Sequence, residues 1–130
     1  MDKEKRRQKR LALLEETILY YSENTLRRCV IKNDQCYYDG TRNMQTQSDG
    51  CAIGRLIPNE TAKLLDTYND EDYSIVSLYY LIPKKVQKYG KYFLSSLQEL
   101  HDLNVNWDEN GLTESGHRFV ASIKNTYKLE

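Results

Sequence analysis

The sequence predicts a mainly helical α+β domain with a small antiparallel β-hairpin. Apolar residues recur at helical spacing near both ends of the chain, whereas the middle holds short β-rich runs separated by turn dipeptides. A chain of 130 residues is long enough to bury one hydrophobic core and too short for two. We therefore expect a single domain over residues 1–130, with an N-terminal amphipathic helix over 1–22, a hairpin and junction over 23–58, and a helical part over 59–130.

The first predicted helix has an apolar face and a basic start. Residues at three- and four-residue spacing form the face: Leu11, Leu14, Ile18 and Tyr21. Residues 1–10 carry six Lys or Arg and two acids. Because charge runs are usually solvated, we interpret this start as a solvent-exposed helix end rather than as a patch for nucleic acid or an acidic partner.

The predicted hairpin lies soon after this helix. Residues 28–32 and 35–38 are short β-rich runs, and an Asn-Asp turn dipeptide joins them. Residues 41–47 contain a single apolar side chain and are expected to form a surface loop. Residues 51–57 are short and apolar, and periodicity alone leaves strand and helix open there.

The chain after the junction is predicted to be helical, with breaks. Asn59 is a candidate cap for the first of these helices. The acidic residues 66–72 are predicted to be a loop, and residues 74–82 are expected to pack until Pro83 ends that segment.

The clearest helices are predicted over 91–103 and over 114–127, the second with Thr113 as its N-cap. Residues 104–111 between them are expected to be a loop held by Trp107 as a core plug. The expected inner face of the first of these helices consists of Phe93, Leu94, Leu97, Leu100 and His101.

Charge and composition narrow the class of protein. The formal net charge is zero, and the absence of a global basic field argues against nucleic acid as a partner. No apolar run approaches the roughly 20 residues of a membrane span, so no membrane association is expected. Three cysteines, an odd number, do not suit a disulfide framework and favour a cytoplasmic, reducing location. Eleven tyrosines supply amphipathic aromatic surface that suits a homo-oligomer or a binding face.

Three parts of the chain carry a resemblance to a family. They are Cys36-Tyr-Tyr-Asp-Gly, Cys51-Ala-Ile-Gly-Arg-Leu-Ile-Pro, and Leu97-Gln-Glu-Leu-His-Asp followed by Trp107. With them the chain resembles small uncharacterised proteins of bacterial genomes, prophages and phages, which share the Cys-Ala-Ile-Gly-x-Leu-Ile-Pro segment and the later helix with its tryptophan. The resemblance implies a prokaryotic or viral origin, hence the host cytoplasm if the chain is phage-encoded. By analogy alone it implies an accessory role or antagonism of host defence, and it supplies no reaction.

One chemical alternative is a cysteine-dependent hydrolase or transferase. Cys51 at a helix start would have a stabilised thiolate, and His101 could act as its base. Asp102 neighbours His101 on the same predicted helix, so the two side chains should point about 100° apart and Asp102 should not orient the imidazole. Cys51 as a small buried hydrophobe is the simpler interpretation, and we expect no catalytic residue.

A zinc site is the second chemical alternative. Its four ligands would be Cys29, Cys36 and Cys51 with His101 or His117. The sequence has no Cys-x₂-Cys or His-x₃-His pair, which zinc modules usually contain. We therefore expect core thiols, with no metal and no other cofactor.

The function that the sequence favours is non-catalytic binding. Tyrosines occur in pairs or at close spacing: Tyr37, Tyr38, Tyr79, Tyr80, Tyr89 and Tyr92. Tyr and Arg dominate binding hot spots, and Arg also binds phosphate. We predict a site for a protein partner or a small anionic, nucleotide-like ligand, lined by Tyr37, Tyr38, Arg42 and Arg55. A structural or assembly protein is a third alternative, which a fixed large oligomer would favour.

Arg55 is the member of this site that plain packing does not explain. It interrupts an apolar run, so it must either reach the surface or pair with an acid. The candidate partners are Asp49 and Asp102.

Overall fold

Six α-helices and one short strand pair make up the described part of the chain in a computed structural model. The structure describes residues 2–28, 38, 51–69 and 74–129. The helices are α1 (Lys3–Glu23), α2 (Asn59–Asn69), α3 (Ile75–Leu78), α4 (Lys84–Gln87), α5 (Lys91–Asp102) and α6 (Glu114–Tyr127). Short 3₁₀ turns lie at Thr25–Arg27, Gly54–Leu56, Tyr79–Leu81 and Asn104–Asn106. The mainly helical α+β class is confirmed.

The strand pair lies in a different place from the predicted hairpin. Strand β1 (Trp107–Asp108) pairs antiparallel with β2 (Gly111–Leu112), inside the segment predicted to be a loop. Each strand is only two residues long, too short for an alternating pattern to be visible in the sequence. The hairpin predicted over residues 28–38 lies outside the described residues, apart from its two ends.

The loop predicted over the acidic residues 66–72 is wrong at its start. The helix continues to Asn69, so Asp66 is helical, and its carboxylate is buried. Asp66 Oδ1 accepts a hydrogen bond of 2.7 Å from the backbone N–H of Tyr38. This bond satisfies a buried carboxylate that would otherwise favour a solvated loop.

Local capping explains where the long helices begin. Asp2 Oδ1 accepts from the N–H of Lys5 at 2.8 Å and caps α1. Thr113 Oγ1 accepts from the N–H of Gly116 at 3.1 Å and caps α6, as the sequence predicts. At the other end of α6, Lys128 adopts the left-handed conformation with φ of 56° that commonly ends a helix.

The core consists of two adjoining clusters of buried side chains. The first cluster contains Tyr38, Cys51, Ile53, Ile57, Ala62, Leu65, Ile75, Leu78, Ile82, Val86 and Leu94. The second cluster contains Leu13, Leu14, Tyr21, Ala52, Phe93, Leu97, Leu100, Trp107, Val120, Ile123 and Leu129. The partly buried Leu56 and Tyr89 pack against both, so the two clusters are continuous.

The segment 51–57 passes between these clusters. Cys51 and Ile53 contribute to the first cluster, whereas Ala52 contributes to the second. The segment is a turn followed by a 3₁₀ helix, which settles the choice between strand and helix that periodicity leaves open. Five of its seven residues are buried, because both sides of it are covered.

Gly54 is required at its position by the approach of another backbone segment. A Cβ atom placed on Gly54 would lie 2.0 Å from the carbonyl oxygen of Tyr38. Tyr38 cannot easily withdraw, because its ring is buried and its N–H is bound by Asp66. Because the contact is between two backbone segments, no flexible side chain can move to make room for a Cβ atom.

In the ranges that the structure describes, no helix is both long enough and apolar enough to span a bilayer.

We predict that Gly54→Ala lowers the free energy of unfolding by about 3 kcal/mol or more, because the added methyl group collides with a fixed carbonyl. Urea unfolding followed by circular dichroism measures the change. Ser122→Ala is the control, since Ser122 is exposed on α6 and its change to alanine creates no new contact. It should change the free energy of unfolding by no more than about 0.5 kcal/mol. Equal losses for the two variants would contradict the close approach at Gly54.

Candidate functional site

The Arg55 side chain extends from the buried segment 51–57 and contacts helix α1. Its Nη1 donates to Glu16 Oε2 at 3.1 Å, and its Nη2 donates to Glu16 Oε1 and to Thr17 Oγ1, the latter at 3.2 Å. The guanidinium also stacks over the Tyr20 ring, 4.6 Å from its centroid. The acidic partner of Arg55 is therefore Glu16. The prediction that Asp102 is the partner is wrong, and Asp49 lies outside the described residues.

The inner end of the Arg55 side chain meets a buried hydroxyl group. Arg55 Nε and the Tyr21 hydroxyl are both buried, and within the described residues neither has a hydrogen-bond partner. Burial raises the pKa of Tyr21 well above its usual value, the nearby Cys51 thiol adds to the rise, and Arg55 opposes it. A neutral phenol is therefore held beside the cation.

The predicted ligand site contains two residues that the structure describes. Tyr38 is buried in the first cluster, and only 10% of the Arg55 side chain is exposed. Both have protein partners that account for their burial. Tyr37 and Arg42, the other two members, lie outside the described residues, so the structure does not show whether the four residues meet.

Cys51, the candidate nucleophile, is completely buried. Its Sγ accepts a hydrogen bond of 3.4 Å from the N–H of Gly54. Burial raises the pKa of the Cys51 thiol, and the negative charge of Asp102 raises it further. A nucleophilic cysteine needs a stabilised, accessible thiolate, and this environment favours the neutral thiol.

His101 and Asp102 interact directly, against the expectation that adjacent helical positions would keep them apart. His101 Nδ1 lies 2.8 Å from Asp102 Oδ1, at the C-terminal end of α5 where the chain leaves the helix. Gln98 Nε2 donates to the same carboxylate oxygen at 2.9 Å. Burial lowers the pKa of His101, while Asp102 opposes that change.

The His101 imidazole is packed rather than accessible. It is fully buried, and the Tyr21 ring lies edge-on to it with centroids 4.8 Å apart. The His101 carbonyl accepts two hydrogen bonds from Arg28, at 2.9 Å and 2.6 Å. These contacts hold the end of α5 in place and leave the ring no route to solvent.

Metal ligation has no support in the part of the chain that the structure describes, where no three His, Cys, Asp or Glu residues form a group that could hold an ion. Two of the alternative zinc ligands, Cys29 and Cys36, lie outside that part. Of the others, Cys51 and His101 are the buried residues just described, and His117 is exposed on α6.

Two strongly exposed tyrosines lie away from these buried residues. Tyr80 is 74% exposed and Tyr92 is 61% exposed. The Lys91 ammonium lies 5.9 Å from the centroid of the Tyr80 ring and 5.5 Å from that of Tyr92. We call the surface formed by Tyr80, Lys91 and Tyr92 the tyrosine–lysine face; Lys84, Lys85 and Lys88 lie in the segment between Tyr80 and Lys91, on α4 and at its end. The closely spaced tyrosines in the sequence were a signal for it.

The turn beneath this face is braced by its own hydrogen bonds. The Tyr79 hydroxyl donates to the Gln87 carbonyl, and Gln87 Nε2 donates to the Ile82 carbonyl at 2.8 Å. The Tyr79 ring meets the Tyr80 ring edge-on, with centroids 5.3 Å apart. The exposed Tyr80 ring therefore packs against a tyrosine that is itself held in place by a hydrogen bond.

The segment that contains the tyrosine–lysine face is strongly basic. Residues 74–98 contain four lysines and no acidic residue. Among the residues that the structure describes, no ion-pair partner is found for Lys84, Lys85, Lys88 or Lys91. Their charges are therefore available to an anion.

No protein-family model, curated protein or solved structure matches this chain.

We predict that Arg55→Ala lowers the free energy of unfolding by about 2 kcal/mol, since the change leaves the half-exposed Glu16 without its partner and removes a packed side chain. Arg118→Ala is the matched control, because Arg118 forms an exposed ion pair with Glu114 and should cost no more than about 0.5 kcal/mol. Thermal or urea unfolding distinguishes the two. Similar small losses would show that the Arg55 pair is not structural.

We predict that the Cys51 thiol of the folded protein reacts with iodoacetamide far more slowly than an ordinary thiol, because it is buried and neutral. Mass spectrometry of the peptide that contains Cys51 gives the rate separately from the other cysteines. The same peptide in concentrated urea is the control and should be labelled at the ordinary rate. Fast labelling of the folded protein would instead support the cysteine-enzyme alternative.

Proposed function

We propose that the protein is a non-catalytic binding protein for an anionic partner or ligand, and that it binds on the tyrosine–lysine face. The observation that supports this proposal most directly is that the Lys91 ammonium lies 5.9 Å and 5.5 Å from the centroids of two exposed rings, Tyr80 and Tyr92. Exposed aromatic rings provide contact area, and cations beside them attract and orient an anion.

The electrostatics of the face support this proposal. Four lysines within eight residues, with no acid nearby in the sequence, attract an anion from a distance. The bracing of the underlying turn by Tyr79 and Gln87 reduces the entropy lost when a partner binds.

The alternative of a cysteine-dependent hydrolase receives no support from the surroundings of its two residues. Cys51 and His101 are both fully buried, and burial favours the neutral form of each. An enzyme of that kind needs the thiolate at a surface that the substrate can reach.

The setting that we propose is the cytoplasm of a prokaryotic cell, or of a host cell if a phage encodes the chain. The odd number of cysteines and the family resemblance support it. An accessory role or antagonism of host defence, and self-association into a homo-oligomer, belong to the same proposal. Native mass spectrometry of protein purified from its own host would report the oligomer and any retained partner together.

We predict that the protein is retained on immobilised heparin, a polyanion, and that Lys91→Glu weakens this binding about five- to tenfold. Lys91 occupies the first turn of α5, where a glutamate interacts favourably with the helix dipole, so the variant should fold normally. The salt concentration required for elution, and the dissociation constant from titration with soluble heparin, measure the effect.

Lys63→Glu is the matched control for this experiment. Lys63 is exposed on α2 and lies outside the tyrosine–lysine face, and its reversal changes the net charge by the same amount. If both variants lose equal affinity, or if the unaltered protein is not retained, the face is not the anion-binding surface.

A further inference from the structure

We infer that the tyrosine–lysine face binds single-stranded nucleic acid, with Tyr80 and Tyr92 stacking on bases and the neighbouring lysines contacting phosphates. The inference rests on the proposed function and names the class of its anionic partner. It reverses the expectation, drawn from a net charge of zero, that nucleic acid is not a partner.

The first step of the argument is the placement of the aromatic rings. Surfaces that bind single strands combine exposed aromatic side chains, on which bases stack, with a basic track for the backbone. Among the residues that the structure describes, Tyr80 and Tyr92 are the two most exposed aromatic side chains. Lys91 lies within reach of both rings, so a phosphate that joins two stacked bases would meet a cation there.

The second step is the continuation of the positive charge beyond the face. Arg10 of α1 donates from Nε to the Tyr89 carbonyl at 2.8 Å, and its guanidinium lies 5.0 Å from the centroid of the Tyr127 ring in α6. These contacts join the end of segment 2–10 to segment 84–91 at Tyr89 and to segment 124–128 at Tyr127. The three segments contain twelve of the 19 Lys and Arg residues and only two of the 19 acids.

The zero net charge therefore conceals a separation of charge. The basic start of α1 ends at Arg10, which binds the Tyr89 carbonyl two positions before Lys91 of the tyrosine–lysine face. The first turns of α1 are largely exposed, and its buried side chains begin at Leu13. A strand that stacks on Tyr80 and Tyr92 has further cations within the same neighbourhood, as a polyphosphate backbone requires.

The third step separates a single strand from other anionic partners. Bases in a duplex are stacked on one another, so exposed rings could not stack on them without unpairing. A membrane surface would call for an apolar face, and residues 3–10 of α1 contain no apolar side chain. An acidic protein would meet lysine at the centre of its contact, although the centres of protein interfaces are depleted in lysine.

Fluorescence anisotropy with labelled homopolymers of about 20 nucleotides tests the inference. We expect the protein to bind the single strands, DNA or RNA, and to bind a duplex of the same length at least about tenfold more weakly. Tyr80→Ala and Tyr92→Ala should each weaken single-strand binding about tenfold, because each removes one stacking contact. Tyr80→Phe and Tyr92→Phe, which retain the rings, should restore most of the affinity.

Tyr68→Ala is the matched aromatic control, because Tyr68 is 37% exposed on α2 and lies outside the face. It should bind like the unaltered protein, and circular dichroism confirms that every variant is folded. Titrations between about 50 and 200 mM salt should show that Lys84→Gln and Lys88→Gln each reduce the slope of log K against log salt by about 0.7.

Failure of this inference is distinguishable from failure of the proposed function. If heparin retention depends on Lys91 but single strands do not bind, or bind equally after Tyr80→Ala and Tyr92→Ala, the anion-binding face stands and the nucleic-acid inference is overturned. Poly-L-glutamate that binds as tightly as the single strands would likewise overturn it, in favour of an acidic protein partner. If Lys91→Glu changes no anion binding at all, the proposed function itself is overturned.

Discussion

The carbonyl of Tyr38 presses against the backbone of Gly54, and much of the described structure depends on this contact. A side chain of any size at Gly54 would occupy the position of the Tyr38 oxygen. Asp66 of α2 binds the N–H on the other side of Tyr38, so three parts of the chain that are distant in sequence meet at one place. The segment 51–57 can then pass between two hydrophobic clusters and contribute side chains to both.

Burial of that segment determines the chemistry of its polar residues. Cys51 is covered on all sides and has a raised pKa, so a residue that could have been a nucleophile is a core thiol. The Arg55 side chain extends out of the same segment, where it pairs with Glu16 and stacks on Tyr20. The Cys51 thiol and the outer nitrogens of Arg55 thus take part in structural contacts, whereas Tyr80, Lys91 and Tyr92 keep their charge and aromatic rings at the surface.

The separation of charge is the property on which the functional proposal depends. The basic start of α1 and the lysines around α4 are far apart in the sequence, and Arg10 joins them by its hydrogen bond to Tyr89. Long-range attraction depends on how charge is distributed over the surface rather than on its total. A neutral chain can therefore present a basic face and still carry an excess of acid elsewhere.

The sequence by itself determined the features that depend on near neighbours. Helices α1, α5 and α6 and the Thr113 cap were predictable, because periodicity and capping act within a few residues. Tertiary structure decided the contact of Gly54 with Tyr38, the Arg55–Glu16 pair, the burial of Asp66 and the approach of Arg10 to Tyr89. Each of these joins residues between 16 and 79 positions apart, and no local pattern specifies which distant backbone or charge a residue will meet. The exposed Tyr80 and Tyr92 were visible in the sequence as tyrosines, but only packing showed that they, and not Tyr38, remain at the surface.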